Sequence, residues 1–147
     1  MLEIALLHPG LYAYMQANGI EVSMLNKDGS LSLLVDNRYR VHCQSLPKNN
    51  LIFEARLLRL PSEFSACEAL LDQCLAIAAA RLTKAREWPT IDQHAQQLLL
   101  QYYLAAHAHT QQHFENALAD FINALMAWRE VLVARRPAPT LFLDSTR

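Results

Sequence analysis

Glycine and cysteine are both scarce in this chain. Only three glycines occur among its 147 residues, so it can build neither a Gly-rich phosphate-binding loop nor a GxSxG nucleophile elbow. Its three cysteines, Cys43, Cys67 and Cys74, are odd in number and lack CxxC spacing. This pattern excludes a disulfide scaffold and a four-thiolate zinc site, and it predicts reduced thiols that pack in the interior or in helix contacts.

The chain also lacks an excess of charge of one sign and a long apolar run. Thirteen Lys and Arg residues stand against fourteen Asp and Glu residues, a formal net charge of -1, without the cationic excess that nucleic-acid binding usually requires. No run of about 18 apolar residues occurs, and Glu3 lies where a signal peptide would carry basic residues. We therefore expect a cytoplasmic protein with no nucleic-acid partner and no membrane insertion.

Hydrophobic residues, by contrast, are abundant. They make up 52% of the chain, against 18% for charged residues, which is enough to fold around a core and excludes global disorder. The length suits one domain. We place this domain at residues 1–136 and expect a mobile tail at residues 137–147.

Three helices are predicted, at residues 9–17, 61–85 and 110–136. The first begins at Pro9 and stops at Asn18-Gly19, which suit a first helical turn and a left-handed stop. The second is apolar over most of its circumference, so it must be covered on two sides. In the third, apolar residues recur at steps of three and four, and this seam can lie along a sheet.

Five strands are predicted from runs that alternate apolar and polar residues. A three-stranded antiparallel meander occupies residues 20–60, with turns at Asp28-Gly29 and Asp36-Asn37. Two more strands, at residues 88–92 and 97–105, flank a polar turn. The fold class that follows is α+β, with the order α-β-β-β-α-β-β-α and a five-stranded antiparallel sheet.

Three histidines, His107, His109 and His113, form an HxHxxxH cluster before the last helix. This spacing is compatible with a metal site. No carboxylate or cysteine stands in matching register nearby, so we predict no metal, and no set of nucleophile, base and acid converges to make an enzyme. A small-molecule- or metal-binding domain that uses these histidines stays open as an alternative function.

Four arginines cluster on the predicted sheet. They are Arg38, Arg40, Arg56 and Arg59. One interpretation is an anion site. We favour the simpler interpretation, in which these arginines decorate an outer face and pair with Asp36 and Glu54 across strands.

Apolar side chains remain beyond what one small core consumes. The candidates for exposure on the sheet are Leu34, Ile52, Leu58, Leu99 and Tyr103. The second helix is the candidate for self-association. The alternative is that the helices cover both faces of the sheet, so that these apolar side chains are buried within the protomer.

Four segments resemble the class I type III secretion chaperones, small cytosolic dimers that hold effector proteins for export. The segments are DGSLSLLVDNRYRVHCQSL (28–46), NLIFEARLLRLP (50–61), AQQLLLQYYL (95–104) and FENALADFINALMAWREVL (114–132). They are similar to the family's first hairpin, third strand, last strand and final helix, and the resemblance extends over about residues 8–133. Members are usually strongly acidic, whereas this chain is nearly neutral.

The resemblance implies a non-catalytic homodimer that binds an extended segment near the amino terminus of one or more effectors and keeps them competent for export. It implies no cofactor, and it allows a contact with the export-apparatus ATPase. The effector surface that it implies consists of Leu34, Ile52, Leu58, Leu99 and Tyr103, and the dimer surface of Phe64, Cys67, Leu71 and Cys74. A regulatory adaptor on the same fold, bound to another chaperone or to a regulator, is a further interpretation.

Overall fold

The chain is described by a computed structural model over residues 7–81 and 86–134. Its α-helices and strands follow one another in the predicted order. The helices are α1 (Pro9–Ala17), α2 (Phe64–Arg81) and α3 (Gln111–Ala134), and the strands are β1 (Leu31–Val35), β2 (Tyr39–Leu46), β3 (Asn50–Arg59), β4 (Glu87–Asp92) and β5 (Gln97–Leu104). The predicted α+β class and element order are confirmed. The tail expected at residues 137–147 lies outside the described residues.

All five strands form one antiparallel sheet in the order β1-β2-β3-β5-β4. β1 and β2 are joined by a tight turn in which Asp36 and Asn37 both have positive φ, 53° and 55°. The Arg38 N–H closes the turn by donating to the Val35 carbonyl oxygen at 3.0 Å. Two consecutive left-handed residues match the twist of the strands that they connect, which is why the Asp36-Asn37 pair predicts this hairpin.

The core lies between the sheet and α3. Phe53, in the middle of β3, is fully buried, and its ring centroid lies 5.3 Å from that of Phe114 and 5.8 Å from that of Phe121. Aromatic side chains of this size dominate the energetics of a small core. The seam of α3 that the sequence predicts is the face that packs here. Its buried members are Phe114, Leu118, Phe121, Leu125, Trp128 and Leu132.

Helix α1 packs against α3 and begins at a buried histidine. His8 Nδ1 accepts hydrogen bonds from the Gly10 and Leu11 N–H groups at 3.0 and 3.4 Å. On the other side of the ring, His8 Nε2 donates to the Ala105 carbonyl oxygen at 3.0 Å. One side chain therefore caps the helix and ties it to the end of β5. The predicted limits of this helix, residues 9–17, are confirmed.

The three helices of the described ranges lie on one face of the sheet. α3 covers that face, α1 packs on α3, and α2 packs beside α3 and β4. Strand residues that face the helices are mostly buried, whereas those on the opposite, outer face are mainly half-buried or exposed. The alternative in which helices cover both faces is therefore wrong. In the described ranges, no helix has the length and apolar character needed to cross a membrane.

A β-bulge in β3 moves Leu58 away from the outer face. The pairing of β3 with β5 shifts between Arg56 and Leu58, so Leu57 is the extra residue. Leu58 then pairs with the buried Leu98 and packs against the core. The predicted place of Leu58 on the outer face is wrong, because an inserted residue reverses the alternation of the strand.

Candidate partner-binding surfaces

A row of polar side chains crosses the outer face through all five strands. From β1 to β4, its members are Ser32, His42, Glu54, Gln101 and Trp88. Hydrogen bonds join Ser32 Oγ to His42 Nδ1 at 2.9 Å. Gln101 Nε2 donates to Glu54 Oε2 at 2.7 Å, and Trp88 Nε1 donates to Gln101 Oε1 at 3.0 Å. Because cross-strand partners share a face, this polar row divides the outer face into two parts.

The first part has an apolar centre. Ile52 on β3 pairs with Tyr103 on β5, and Tyr103 is 40% exposed. Beside them, Leu46 and Ile52 line a groove of about 400 Å³ together with six polar residues, Asp28, Ser30, His42, Gln44, Glu54 and Gln101. We call Leu46, Ile52 and Tyr103 the apolar patch. These three side chains can pack against apolar side chains of an extended polypeptide.

The second part holds Leu34 and Leu99 in a row with two arginines. Leu34 pairs with Arg40, and Leu99 pairs with Arg56. Leu34, on the edge strand, is 54% exposed, whereas Leu99 is only 9% exposed. The apolar patch and Leu34 therefore lie on opposite sides of the polar row. The predicted exposure of Leu99 is wrong, because this side chain lies at the base of a groove that it lines with Arg56 and Gln97.

Four arginines line a groove of about 590 Å³ in this second part. They are Arg38, Arg40, Arg56 and Arg129, and we call their site the arginine groove. None of their guanidinium groups forms an ion pair within the described ranges, so the predicted pairing with Asp36 and Glu54 is wrong. Sequence reasoning missed Arg129, because nothing local indicates that this residue of α3 reaches the sheet.

The side of α2 that faces away from the core is strongly apolar. Phe64 is 79% exposed and Leu75 is 67% exposed, and Leu71 between them is half-buried. On the neighbouring edge strand, Ile91 is 40% exposed. We call Phe64, Leu71, Leu75 and Ile91 the α2 surface. Sequence reasoning missed Leu75, although it follows Phe64 and Leu71 at helical spacing.

The cysteines of α2 face the core instead. Cys74 is 3% exposed, and burial raises the pKa of its thiol to about 11, so this thiol is protonated at neutral pH. Cys67 is half-buried and packs against the core. Cys74 does not lie on the dimer surface predicted for it, because its side chain is already covered within the protomer.

The histidines before α3 help to form the start of that helix. Thr110 Oγ1 accepts a hydrogen bond from the His113 N–H at 3.1 Å, and His113 Nδ1 accepts one from the Thr110 N–H at 3.4 Å. This reciprocal arrangement is a helix cap. His109 Nδ1 donates to the His107 carbonyl oxygen at 2.8 Å. Over residues 7–81 and 86–134, no group of three or more His, Cys, Asp or Glu residues is arranged to hold a metal ion.

The two edges of the sheet differ in their ability to pair. β4 contains Pro89, which has no N–H to donate and discourages a further strand. β1 contains no proline, and among the strands that the structure describes it pairs only with β2. The free edge of β1 is therefore the better acceptor for an added strand.

The fold has relatives among solved structures. A chain of the ExsC-ExsE complex is 19% identical over 90% of this chain and 95% of that chain, with a TM-score of 0.65. The HopA1-SchA chaperone-effector complex matches at 13% identity over 88% and 99% of the two chains, with a TM-score of 0.62. The Yersinia pestis type III secretion chaperone SycH, in complex with a stable fragment of YscM2, matches at 16% identity over 82% and 98%, with a TM-score of 0.55.

Sequence comparison agrees with the resemblance that the four segments indicate. A search of curated proteins found no match. The model of the Tir chaperone protein (CesT) family matches residues 13–129, from within α1 to within α3. This match takes in every strand of the sheet and all of α2, so the chain belongs to the Tir chaperone protein (CesT) family.

Proposed function

We propose that this protein is a type III secretion chaperone, a non-catalytic cytoplasmic homodimer that binds an extended segment near the amino terminus of one or more effector proteins and keeps them competent for export. One observation carries the proposal. In a member of the CesT family, the described helices leave the outer face of the sheet uncovered, and this face exposes apolar side chains. Among the similar structures, HopA1-SchA is described as a chaperone-effector complex.

The two kinds of surface on the sheet suit an unfolded partner. A polypeptide that must pass through an export channel is held through its own apolar side chains and backbone, since it offers no folded surface. The apolar patch can cover such side chains, and the free edge of β1 can provide hydrogen bonds that do not depend on sequence. Leu34, which is 54% exposed on that edge strand, can pack against an added strand.

A second copy of the chain is the proposed occupant of the α2 surface. Phe64 and Leu75 are 79% and 67% exposed in the protomer, and fully burying a side chain of either type contributes about 1.5–3 kcal/mol. A two-fold dimer buries two copies of each side chain, because both protomers contribute the same surface. Such a dimer leaves the outer faces of both sheets free for a partner.

The substitution Ile52→Glu is expected to weaken effector binding at least about tenfold, which corresponds to about 1.4 kcal/mol. It places a carboxylate at the centre of the apolar patch, where the partner would desolvate it without a compensating charge. The measurement begins with the complex purified from native lysate. The effector fragment that the chaperone protects from protease is then titrated by calorimetry into wild type and variant. Gln112→Glu, which adds the same charge to the exposed side of α3, is the control.

The native mass of the purified complex tests the proposed function, because it gives the composition of the complex. A dimer that carries one larger, protease-sensitive, exported partner supports the proposal. A lone monomer with a tightly held small molecule contradicts it and favours the domain that uses His107, His109 and His113. A partner that is never exported indicates the regulatory adaptor. Equal affinities for Ile52→Glu and Gln112→Glu would show that the effector does not use the apolar patch.

A further inference from the structure

We propose that the arginine groove binds an acidic stretch of the effector, a segment with Asp and Glu residues that continues from the residues held by the apolar patch. This inference rests on the proposed function, because one polypeptide would occupy both surfaces. The new element is a chemical signature in that polypeptide, in which acidic residues follow apolar ones at a fixed distance.

Positive charge in the arginine groove is not neutralised within the described part of the chain. Four arginines line the groove together with two carboxylates. Neither carboxylate, Glu54 or Asp92, forms an ion pair with an arginine in the described ranges, and four positive charges against two negative ones leave a formal excess of +2. The groove is thus positive although the whole chain carries a net charge of -1. Arginines that line one groove repel one another, so an anion bound here relieves a repulsion.

A buried tyrosine holds two of the arginines in place. The Tyr39 ring is 5% exposed, and the guanidinium carbons of Arg38 and Arg129 lie 5.2 and 5.6 Å from its centroid, within the range of cation–π attraction. Arg129 Nη2 also donates to the Arg56 carbonyl oxygen at 2.6 Å. Burial lowers the pKa of Arg129; Tyr39 opposes this shift, and the nearby positive charges of Arg56 and Arg38 add to it. Groups that are fixed before binding lose less side-chain entropy when a carboxylate arrives.

A peptide carboxylate fits this groove better than a nucleic acid does. Guanidinium groups bind carboxylates through two parallel hydrogen bonds, whereas a protein that follows a phosphate backbone usually carries a cationic excess, and this chain has a net charge of -1. The exposed Leu34 lies beside Arg40 in the same row, so the site offers an apolar contact next to the charge. A peptide can use both contacts at once.

The strand geometry sets the spacing in the effector. Ile52, in the apolar patch, and Arg56, in the arginine groove, lie on the outer face of the same strand, four residues apart. At about 3.3 Å per residue, these positions are about 13 Å apart. An extended segment that runs along β3 therefore presents its acidic residues about four positions from its apolar anchor.

The test combines Arg40→Gln with Arg56→Gln, both at exposed positions. The dissociation constant of the protected effector fragment, measured by calorimetry, is expected to rise at least about tenfold and to depend less on salt. The melting temperature is expected to stay the same or rise, because the substitutions remove like-charge repulsion. A merely structural role would lower it. Arg59→Gln with Lys27→Gln removes the same charge from exposed positions outside the groove and should leave the affinity within about twofold of wild type.

A reciprocal change in the effector fragment completes the experiment. Replacing its acidic residues near the apolar anchor by Asn and Gln should weaken binding to wild type but not further weaken binding to the double variant, since the two changes remove one interaction. Unchanged affinity of the double variant, with affinity still lost in Ile52→Glu, overturns the inference and leaves the proposed function intact. Failure of every effector fragment to bind wild type overturns both. Saturable binding of inorganic phosphate that the double variant abolishes, with effector affinity unchanged, also overturns the inference.

Discussion

The combined substitution Phe64→Glu and Leu75→Glu is expected to convert the proposed dimer into folded monomers. In the protomer these two side chains are 79% and 67% exposed, so their replacement takes almost nothing from the protomer's own core. In a two-fold dimer they would bury four large apolar side chains, with a gross contribution of about 6–12 kcal/mol. Four carboxylates would take their place and repel one another. The dimer dissociation constant should rise at least about a hundredfold, as measured by sedimentation equilibrium.

The matched control for this experiment is Leu34→Glu. Leu34 is also a large exposed apolar residue, 54% exposed, but it lies on the outer face of the sheet, away from α2. This variant should remain a dimer with the circular dichroism and melting behaviour of wild type. A Phe64→Glu and Leu75→Glu variant that still sediments as a dimer would show that the copies associate elsewhere. A variant that unfolds would show that the folding of α2 depends on these two side chains although they are exposed, which would contradict their proposed role in the dimer.

Local rules explain why most of the fold could be predicted from the sequence. Pro9 and Asn18-Gly19 set the ends of α1, because a fixed φ suits a first helical turn and glycine accepts the left-handed conformation after the last. The Asp36-Asn37 pair specifies a hairpin in the same way. Between such signals, the alternation of apolar residues assigns β1 and β2 correctly to an inner and an outer face. All of these rules act within a few residues of the chain.

The surfaces were harder to predict because they depend on contacts between distant segments. Leu58 lies on the inner side because one extra residue in β3 reverses the alternation, and nothing in the local sequence specifies that bulge. Leu99 is nearly buried because it lines a groove built from β2, β3, β4 and α3, and hydrophobic periodicity cannot predict such contacts. For Cys74, the difficulty is that a helix that is apolar nearly all round does not reveal which side faces the core.

Acid is expected to destabilise the fold through His8. Its ring is completely buried, and burial lowers its pKa below the ordinary value of 6.5; the Ala105 carbonyl opposes this shift and the His109 charge adds to it. The folded state therefore binds this proton less readily than the unfolded chain does. The stability that neutral His8 contributes is fully present above the unfolded pKa of 6.5 and is lost as pH falls through the lower, folded pKa. At pH 5, this loss is at most about 2 kcal/mol.

The physical reason for this loss is the hydrogen bonding of the neutral ring. Nδ1 must be unprotonated to accept from the Gly10 and Leu11 N–H groups, while the Nε2 proton is donated to the Ala105 carbonyl oxygen. Protonation of Nδ1 removes the acceptor, and each buried N–H left without a partner costs about 1–3 kcal/mol. Helix α1 is therefore the element that acid should loosen first.

The substitution His8→Asn separates this titration from those of the other histidines. Asparagine can cap α1 but does not titrate, and its shorter side chain does not reach across to the Ala105 carbonyl, so the variant should be about 1–3 kcal/mol less stable than wild type at pH 7.5. Urea unfolding at pH 7.5 and pH 5 gives the free energy of unfolding of both proteins. The difference in this free energy between wild type and variant should become smaller as the pH falls, because only wild type loses the His8 contribution. The control is His94→Asn, which changes an exposed histidine in the β4–β5 turn. This variant should lose as much free energy of unfolding between pH 7.5 and pH 5 as wild type does. If His8→Asn lost as much stability on acidification as wild type, the cap at the start of α1 would not be the group that makes this fold sensitive to acid.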